Sequence, residues 1–372
     1  MSERLRVLHV LEALEGGTAR HVRDLVAYAT EVDHVVAVPE LRHVGLTDTE
    51  AVAEMRAAGA DVRLVDMRRS MFSAQNVAAV MAVRRIAREV RPDILHGHSS
   101  IGGVVARLVG RLTGIPAVWT PNGVLTGRLP VTVERVLSRW TALTIAVSPS
   151  EAQLMGSLGL SRTGRLEAVP NGLAPFEVDP AAIDIRATAG IPEGALVVGC
   201  LARLVEQKGI DTYLAMAKEL LALRPDVYVL LIGSGPLEPL VRESVVALDR
   251  FRWLEGFNGG RSVLPQFTVF VLLSRYEGSP YTVMEAMSLG CCCVVTDVVG
   301  SRDLIVDGES GLLVAAADGP AVAQAIEGLL TDGDRRTALG AAASRRAAEH
   351  FTAAGMAART MELYRAVTSV PG

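Results

Sequence analysis

The sequence predicts an α/β fold of two Rossmann-like, doubly wound domains facing a cleft, and three observations carry that prediction. Short apolar runs, many of them β-branched, alternate with longer segments of helical periodicity along the chain. The alternation is interrupted at a turn-rich interval containing Pro170, Asn171, Gly172, Pro175 and Pro180, and then resumes. The chain has 372 residues, about twice the usual domain length.

In the first half the expected strands are Leu5–Val10, Val35–Val38, Val62–Val65, Ile94–His96, Ala117–Thr120 and Thr144–Val147. In the second they are Leu196–Leu201, Val227–Ile232, Arg252–Leu254, Val269–Leu273 and Val294–Thr296. Helical periods separate them, among them Ala74–Glu89, Gly209–Leu223 and Leu237–Val246. Strands that alternate with helices make parallel sheets covered on both faces. The interruption divides the chain into a first domain over residues 1–172 and a second over 173–353. Ligands of such sheets bind outside the strand C-termini, so the loops leaving the strands are where chemistry is expected.

Composition narrows the classes. Half the residues are hydrophobic, enough for two cores, and no apolar run approaches the roughly 18–20 residues of a membrane span. The opening "MSERLRVLHVL" lacks the apolar region and cleavage site of a secretory signal, so a cytoplasmic protein is expected. Cys200 and the run Cys291-Cys292-Cys293 suit neither a disulfide framework nor a zinc knuckle and read as small buried hydrophobes.

The net charge is −4 but uneven: +3 through Gly172 and −7 beyond it. Between Arg63 and Arg91 stand Arg63, Arg68, Arg69, Arg84, Arg85, Arg88 and Arg91, against Asp66 and Glu89. That segment reads either as a solvated helix face or as a contact for an anionic partner, including peripheral contact with the inner face of a membrane. Nucleic acid is disfavoured by the acidic balance and the scarcity of aromatics.

The chemistry concentrates at strand exits. In "SRYEGSPYTVMEAM" (Ser274–Met287), Glu277 leaves a strand, Gly278 turns the chain, Ser279 is the expected N-cap and Pro280 the first helical residue. Tyr281, Thr282 and Glu285 share one arc of about 100°, a polar face expected to look outward, with Val283 and Met287 opposite. The helix start can receive a phosphate, and the two glutamates can accept hydroxyls of whatever the phosphate carries. A nucleotide sugar supplies all three groups. The bland alternative is one surface glutamate and one helix-stabilising glutamate.

In "LARLVEQKGID" (Leu201–Asp211), Arg203 and Lys208 leave another strand and can clamp a diphosphate. Lysine is otherwise nearly absent: the chain has 35 Arg and only Lys208 and Lys218. "LEGGTARHV" (Leu14–Val22) places Gly16 and Gly17 before a helix start, where backbone can approach a ligand or simply turn tightly. The loops "HGHSSIGG" and "WTPNG" place His98, Ser99 and Asn122 on the first domain's side of the cleft. Gly233 and Gly235 form a further Gly-rich strand exit, expected near a base. The Asp332-Gly-Asp334 pair is accounted for by N-capping, so neither a metal site nor a cofactor is expected.

Together these residues resemble the retaining glycosyltransferases of family 4, which have the GT-B fold. The resemblance rests on Gly16-Gly17, "VPNG" (Val169–Gly172), "ARLVEQKG", "GSGP" (Gly233–Pro236) and the E-x7-E pair Glu277 and Glu285, in that order over nearly the whole chain. It implies that Arg203 and Lys208 neutralise the donor diphosphate, Glu277 contacts the donor sugar and Glu285 the ribose. It further implies that Ser279, Tyr281 and Thr282 help bind the phosphates and that a last helix, about 354–366, returns to the first domain. The implied reaction moves a sugar from a nucleotide-sugar, a UDP-sugar above others, to a glycan or lipid-linked acceptor without a metal. Two positions depart from the pattern: Asn122 stands where many relatives carry His, and Cys292 where they carry Pro. The competing readings are a nucleotide-sugar 2-epimerase or a phosphorylase on the same fold, and a catalytically silent nucleotide-sugar-binding protein. With two lysines in the chain, a pyridoxal-bearing phosphorylase is disfavoured.

Overall fold

The computed structural model describes residues 4–12, 16–39, 48–68, 73–123, 127–161, 164–179, 183–256 and 259–369. Leu14, Glu15, Arg69 and Pro180, named above, lie outside them. The chain divides into two compact units, Met1–Ala174 with Thr352–Gly372, and Pro175–Phe351.

Unit 1 runs β1 (Leu5–Val10), α1 (Gly16–Tyr28), β2 (Val32–Val38), α2 (Asp48–Ala57), β3 (Asp61–Leu64), α3 (Ala74–Val90) and β4 (Ile94–His98). It continues through α4 (Ser99–Thr113), β5 (Ala117–Thr120), α5 (Arg128–Leu137), β6 (Leu143–Ala146), α6 (Pro149–Ser157) and β7 (Arg165–Ala168). Its sheet has the order β3-β2-β1-β4-β5-β6-β7, and every pairing is parallel. Strand order reverses between β1 and β4, where Val7 stands beside Ile94 and His9 beside His96. One face of the sheet packs under α3 and α4, with Leu8, Val10, Leu95, Val83 and Val105 in the core.

Unit 2 runs α7 (Ile185–Ala189), β8 (Leu196–Leu201), α8 (Ile210–Leu223), β9 (Val227–Ile232), α9 (Glu238–Ala247) and β10 (Phe251–Leu254). Then come β11 (Val269–Leu272), α10 (Tyr281–Ser288), β12 (Cys293–Thr296), α11 (Ser301–Leu304), β13 (Leu312–Val314), α12 (Gly319–Thr331) and α13 (Gly333–His350). Its parallel sheet has the order β10-β9-β8-β11-β12-β13, with the reversal between β8 and β11. The central strands are apolar throughout because both faces are covered: Val269 to Leu272 have no exposed surface. The final helix, α14 (Ala353–Thr368), belongs to unit 1, where Met361 and Tyr364 join the core on the face opposite α3 and α4.

Two parallel doubly wound sheets are thus present, as the alternation implied. Two edge strands, β7 and β13, were not expected from the sequence. Arg165-Leu-Glu-Ala lacks the β-branched run of a central strand, and Leu312–Val314 is three residues long. All four cysteines are free and buried. Asp332 caps α13 by accepting from the Arg335 amide, and no helix among the described residues is long and apolar enough to cross a membrane.

Candidate functional site

In unit 2 the exits of β8, β9 and β11 come together because those strands are neighbours in the sheet. After β8 the chain makes a 3-10 turn, Glu206–Lys208, and enters α8 through Gly209. Gly209 has φ +60°, and a Cβ there would lie 1.9 Å from the Leu273 carbonyl oxygen. No other residue fits that approach, so Gly209 draws the β8 exit against the end of β11. One backbone and one side-chain bond fasten the two exits: the Arg275 amide donates to Gln207 O at 2.8 Å and Gln207 Nε2 donates to Tyr276 O at 3.0 Å. On the other side the Leu204 amide donates to Ser234 O, and the Leu237 amide to Leu204 O, which ties in the Gly233–Gly235 exit of β9.

Across the β8–β11 junction Lys208 Nζ lies 2.6 Å from Glu277 Oε1, with both side chains mostly buried. Ser274 Oγ donates to the same carboxylate oxygen at 2.6 Å. Ser274 is itself fixed because Thr296 Oγ1 donates to its carbonyl at 2.5 Å, and the Glu277 amide donates to Val299 O at 3.2 Å. Three strand exits therefore set the position of one carboxylate. Arg203 is exposed, and its guanidinium makes no ion pair among the described residues. The junction thus presents one cation held against a carboxylate and a second, unpaired cation.

Gly278 is buried, and its oxygen would lie 2.4 Å from a Cβ on Gly300. The helix start differs from expectation. Pro280 is the N-cap, in extended conformation, and Tyr281 opens α10. Pro280 itself is extended, with ψ 115°, so the helix begins one residue later. The expected outward polar face is also corrected. Tyr281 and Glu285 are buried, like Val283 and Met287, and Thr282 is partly buried, because α10 packs against α13 and α11 as well as the sheet. Helical periodicity reports which side is apolar, not what covers the polar side.

Unit 1 is built differently at its own reversal. His98 is the last residue of β4 rather than part of a loop, and Ser99 opens α4 directly with φ +60°. The glycines that suggested a loop serve close packing instead: a Cβ on Gly102 would lie 2.4 Å from Val10 O, and one on Gly97 2.6 Å from Gly102 O. The start of α4 is filled by Glu12, whose Oε2 accepts from the Ile101 amide at 2.5 Å and the Gly102 amide at 2.9 Å. Ser99 Oγ donates to Glu12 Oε1 at 3.1 Å, so this hydroxyl is engaged internally. Asn122 sits at φ +56° in the β5 exit, with Nδ2 donating to Thr120 O at 3.3 Å. Gly16 and Gly17 form the exposed first turn of α1.

His98 belongs to a buried histidine group the sequence reading missed. His9 Nδ1 and His98 Nε2 are 3.0 Å apart, as are His9 Nε2 and His34 Nδ1. His34 Nε2 faces Ala29 O at 3.0 Å and must carry a proton there. In the neutral chain the tautomers follow: His9 donates to His34, His98 donates to His9, and His98 Nδ1 is left as a lone pair with no partner among the described residues. His96 lies between Tyr364 OH and Thr120 Oγ1 at 2.5 and 2.8 Å, and His21 Nδ1 lies 2.9 Å from Asn171 Oδ1. Burial holds His9, His96 and His98 well below the usual imidazole range, aided by their histidine neighbours, and lowers His34. Burial brings His21 down to about 4. The available signal was histidine inside strand-like runs, "VLHV" and "ILHGH".

The fold and these exits define a two-domain enzyme of the GT-B glycosyltransferase class. A model described as Glycosyltransferase Family 4 matches residues 15–175, and one described as Glycosyl transferases group 1 matches 195–332. Between them the two models cover most of the chain, which belongs to the family-4 glycosyltransferases. It is 28% identical over 399 residues to the α-maltose-1-phosphate synthase of Mycolicibacterium smegmatis, covering 95% of this chain and 96% of that one. It is 25% identical to that organism's phosphatidyl-myo-inositol mannosyltransferase, covering 95% and 91%. It is 24% identical to the UDP-Gal:α-D-GlcNAc-diphosphoundecaprenol α-1,3-galactosyltransferase of Escherichia coli, covering 67% and 69%. Among solved structures, HepE from Anabaena in complex with UDP and glucose superposes with a TM-score of 0.81 at 19% identity, covering 97% of this chain and 100% of that one. Sucrose-phosphate synthase from Thermosynechococcus elongatus gives 0.80 at 20% identity, covering 98% and 99%.

Proposed function

We propose that this glycosyltransferase moves a sugar from a UDP-sugar to a glycan or lipid-linked acceptor, with retention at the anomeric carbon. The observation that carries the reading is the Lys208–Glu277 pair at the β8–β11 junction, where a doubly wound sheet places its ligand. HepE is a fold neighbour that holds UDP and glucose, and the Escherichia coli relative is named for a UDP-galactose donor and a lipid-diphosphate acceptor. Both support the choice of donor and acceptor class.

In this reading the diphosphate lies at the start of α10, by Gly278, Ser279, Tyr281 and Thr282. Arg203 and Lys208 meet its charge there. As the diphosphate arrives Lys208 turns toward it, and Glu277 is released to accept hydrogen bonds from the sugar hydroxyls. Glu285 receives the ribose and Gly233–Gly235 the base. Lys208 and Arg203 then stabilise the leaving diphosphate, the step at which charge develops, so their effect falls on the transition state rather than on binding alone. On the acceptor side Asn122 borders the β5 exit of unit 1, with His98 and Ser99 at the β4 exit, while Gly16 and Gly17, in the first turn of α1, keep the donor-binding role expected of them.

The test is incubation of the purified chain with candidate UDP-sugars and acceptor extracts, following UDP release, with and without EDTA. The anomeric configuration of the product is then read by NMR. Release of UDP with an α-linked product from an α-linked donor, unaffected by EDTA, is expected. Inversion, or dependence on a divalent ion, would overturn the corresponding part of the reading.

A further inference from the structure

Of the chain's seven histidines, His9, His21, His34, His96 and His98 are buried in unit 1. Strand pairing explains how four of them meet. His9 stands beside His96 in the β1–β4 pairing, and His34 beside Val7 in the β1–β2 pairing. Positions two apart share a face. His9, His34, His96 and His98 therefore lie on the side of the sheet where Val7, Ile94 and Tyr364 form the core. Aliphatic side chains would fill that place at lower cost, because a buried polar group is unfavourable unless its hydrogen bonds are made.

Hydrogen bonding accounts for the group except at one atom. The tautomers run from Ala29 O through His34 and His9 to His98, and the His98 Nδ1 lone pair has no partner among the described residues. His98 has no exposed surface. His96 lies between Tyr364 OH and Thr120 Oγ1, and a hydroxyl can donate or accept, so one nitrogen of neutral His96 carries a lone pair whichever way these bonds run. One nitrogen from each of His9, His96 and His98 fits within 4.8 Å of the other two, and no other group of three potential metal ligands is this close among the described residues.

We propose that His9, His96 and His98 bind a transition-metal ion of the zinc class. Imidazole suits zinc, copper, nickel and iron, whereas calcium and magnesium take oxygen ligands. Two nitrogens on tetrahedral zinc stand about 3.3 Å apart, close to the 3.0 Å between His9 Nδ1 and His98 Nε2. The ion replaces the proton that His98 gives to His9, and that proton moves to the unpartnered His98 Nδ1. A metal-bound histidine ordinarily donates its other N–H to a fixed acceptor. His9 already does so toward His34, which is itself fixed by Ala29 O. His96 brings in one nitrogen by giving up a hydroxyl and keeps the other bonded. The ion joins β1 to β4 at the strand reversal and braces unit 1, independently of the donor chemistry in unit 2.

The experiment is refolding of the tag-free chain from urea and EDTA, with and without one equivalent of zinc or cobalt. Refolding is used because the three ligands have no exposed surface, so the ion enters as the chain folds. After gel filtration, elemental analysis should find one zinc per chain. Hydrogen exchange should show β1, β4 and α14 opening more slowly than in the metal-free chain, and the cobalt form should show the visible band of a tetrahedral site with nitrogen ligands. His98→Ala should bind zinc about a hundredfold more weakly, and His34→Ala, which removes only the acceptor of the His9 N–H, about tenfold more weakly. Exchange of the metal-free variants shows whether their unit 1 is folded. Absence of zinc from the refolded parent chain overturns the proposal whether or not any variant folds. Undiminished zinc in folded His98→Ala overturns it as well, and so does a sulfur-to-cobalt charge-transfer band, which would place the ion on cysteine.

Discussion

The two sheets solve the same topological problem and reach opposite chemistries. Each reverses strand order once, between β1 and β4 in unit 1 and between β8 and β11 in unit 2. A helix start follows each reversal, and a helix start attracts an anion. In unit 1 that anion is built in: Glu12 accepts two amides of α4 and the Ser99 hydroxyl. In unit 2 the carboxylate at the reversal, Glu277, is held by a lysine and a serine instead of by helix amides. Beneath the reversal unit 1 has neutral histidines, and unit 2 has none buried. A phosphate site needs unspent donors as well as the right topology, and the donors at α4 are spent.

The largest expected contrast is in acid. A buried imidazole whose folded-state value lies below 6.5 takes its proton more readily in the unfolded chain. The stability it contributes is therefore full above pH 6.5 and withdrawn as pH falls toward the folded value. His21 alone, at about 4, withdraws about 3 kcal/mol from unit 1 between pH 6.5 and 4, and His9, His34, His96 and His98 act in the same direction. Hydrogen exchange across that range should show unit 1 opening first; simultaneous opening of both units would break the contrast.

Next in size is Lys208→Ala, expected to lower kcat by about 10²–10³ with the fold intact, the scale of losing one preorganised transition-state donor. Unchanged turnover would remove Lys208 from the mechanism. Gly209→Ala should cost unit 2 about 1–3 kcal/mol, since its Cβ meets Leu273 O, and urea unfolding reads this directly. Glu12→Ala strips two buried amides of their acceptor, for about 1–3 kcal/mol in unit 1. It should also give α4 a weak phosphate affinity that the parent lacks, seen as protection of unit 1 by millimolar phosphate. Ser274→Ala, which removes one hydrogen bond to Glu277 and leaves Lys208 in place, should be smallest, at about 1 kcal/mol in kcat/KM.

The central strands were legible in the sequence because both their faces are buried and their apolar runs are continuous. β7 and β13 were not, since an edge strand is covered on fewer sides and Arg165, Glu167 and short length are tolerated there. Lys208 and Glu277 could be named individually from their places at strand exits. Their pairing depends on β8 lying beside β11, a matter of spatial order that sequence order does not encode. For α10 and His98 the shortfall was in what surrounds a segment: local pattern gave neither the cover that buries Glu285 nor the packing that turns "HGHSSIGG" into a direct strand-to-helix passage.

In the proposed reaction a nucleotide diphosphate binds at the reversal in unit 2 and engages Lys208. Isothermal titration of UDP into the parent chain and into Lys208→Ala, with hydrogen exchange on each complex, tests it most directly. The prediction is one site, protection confined to the exits of β8, β9 and β11 and the start of α10, and affinity at least tenfold weaker in the variant. Equal affinity in the two chains, or protection centred on the α4 start instead, would contradict it.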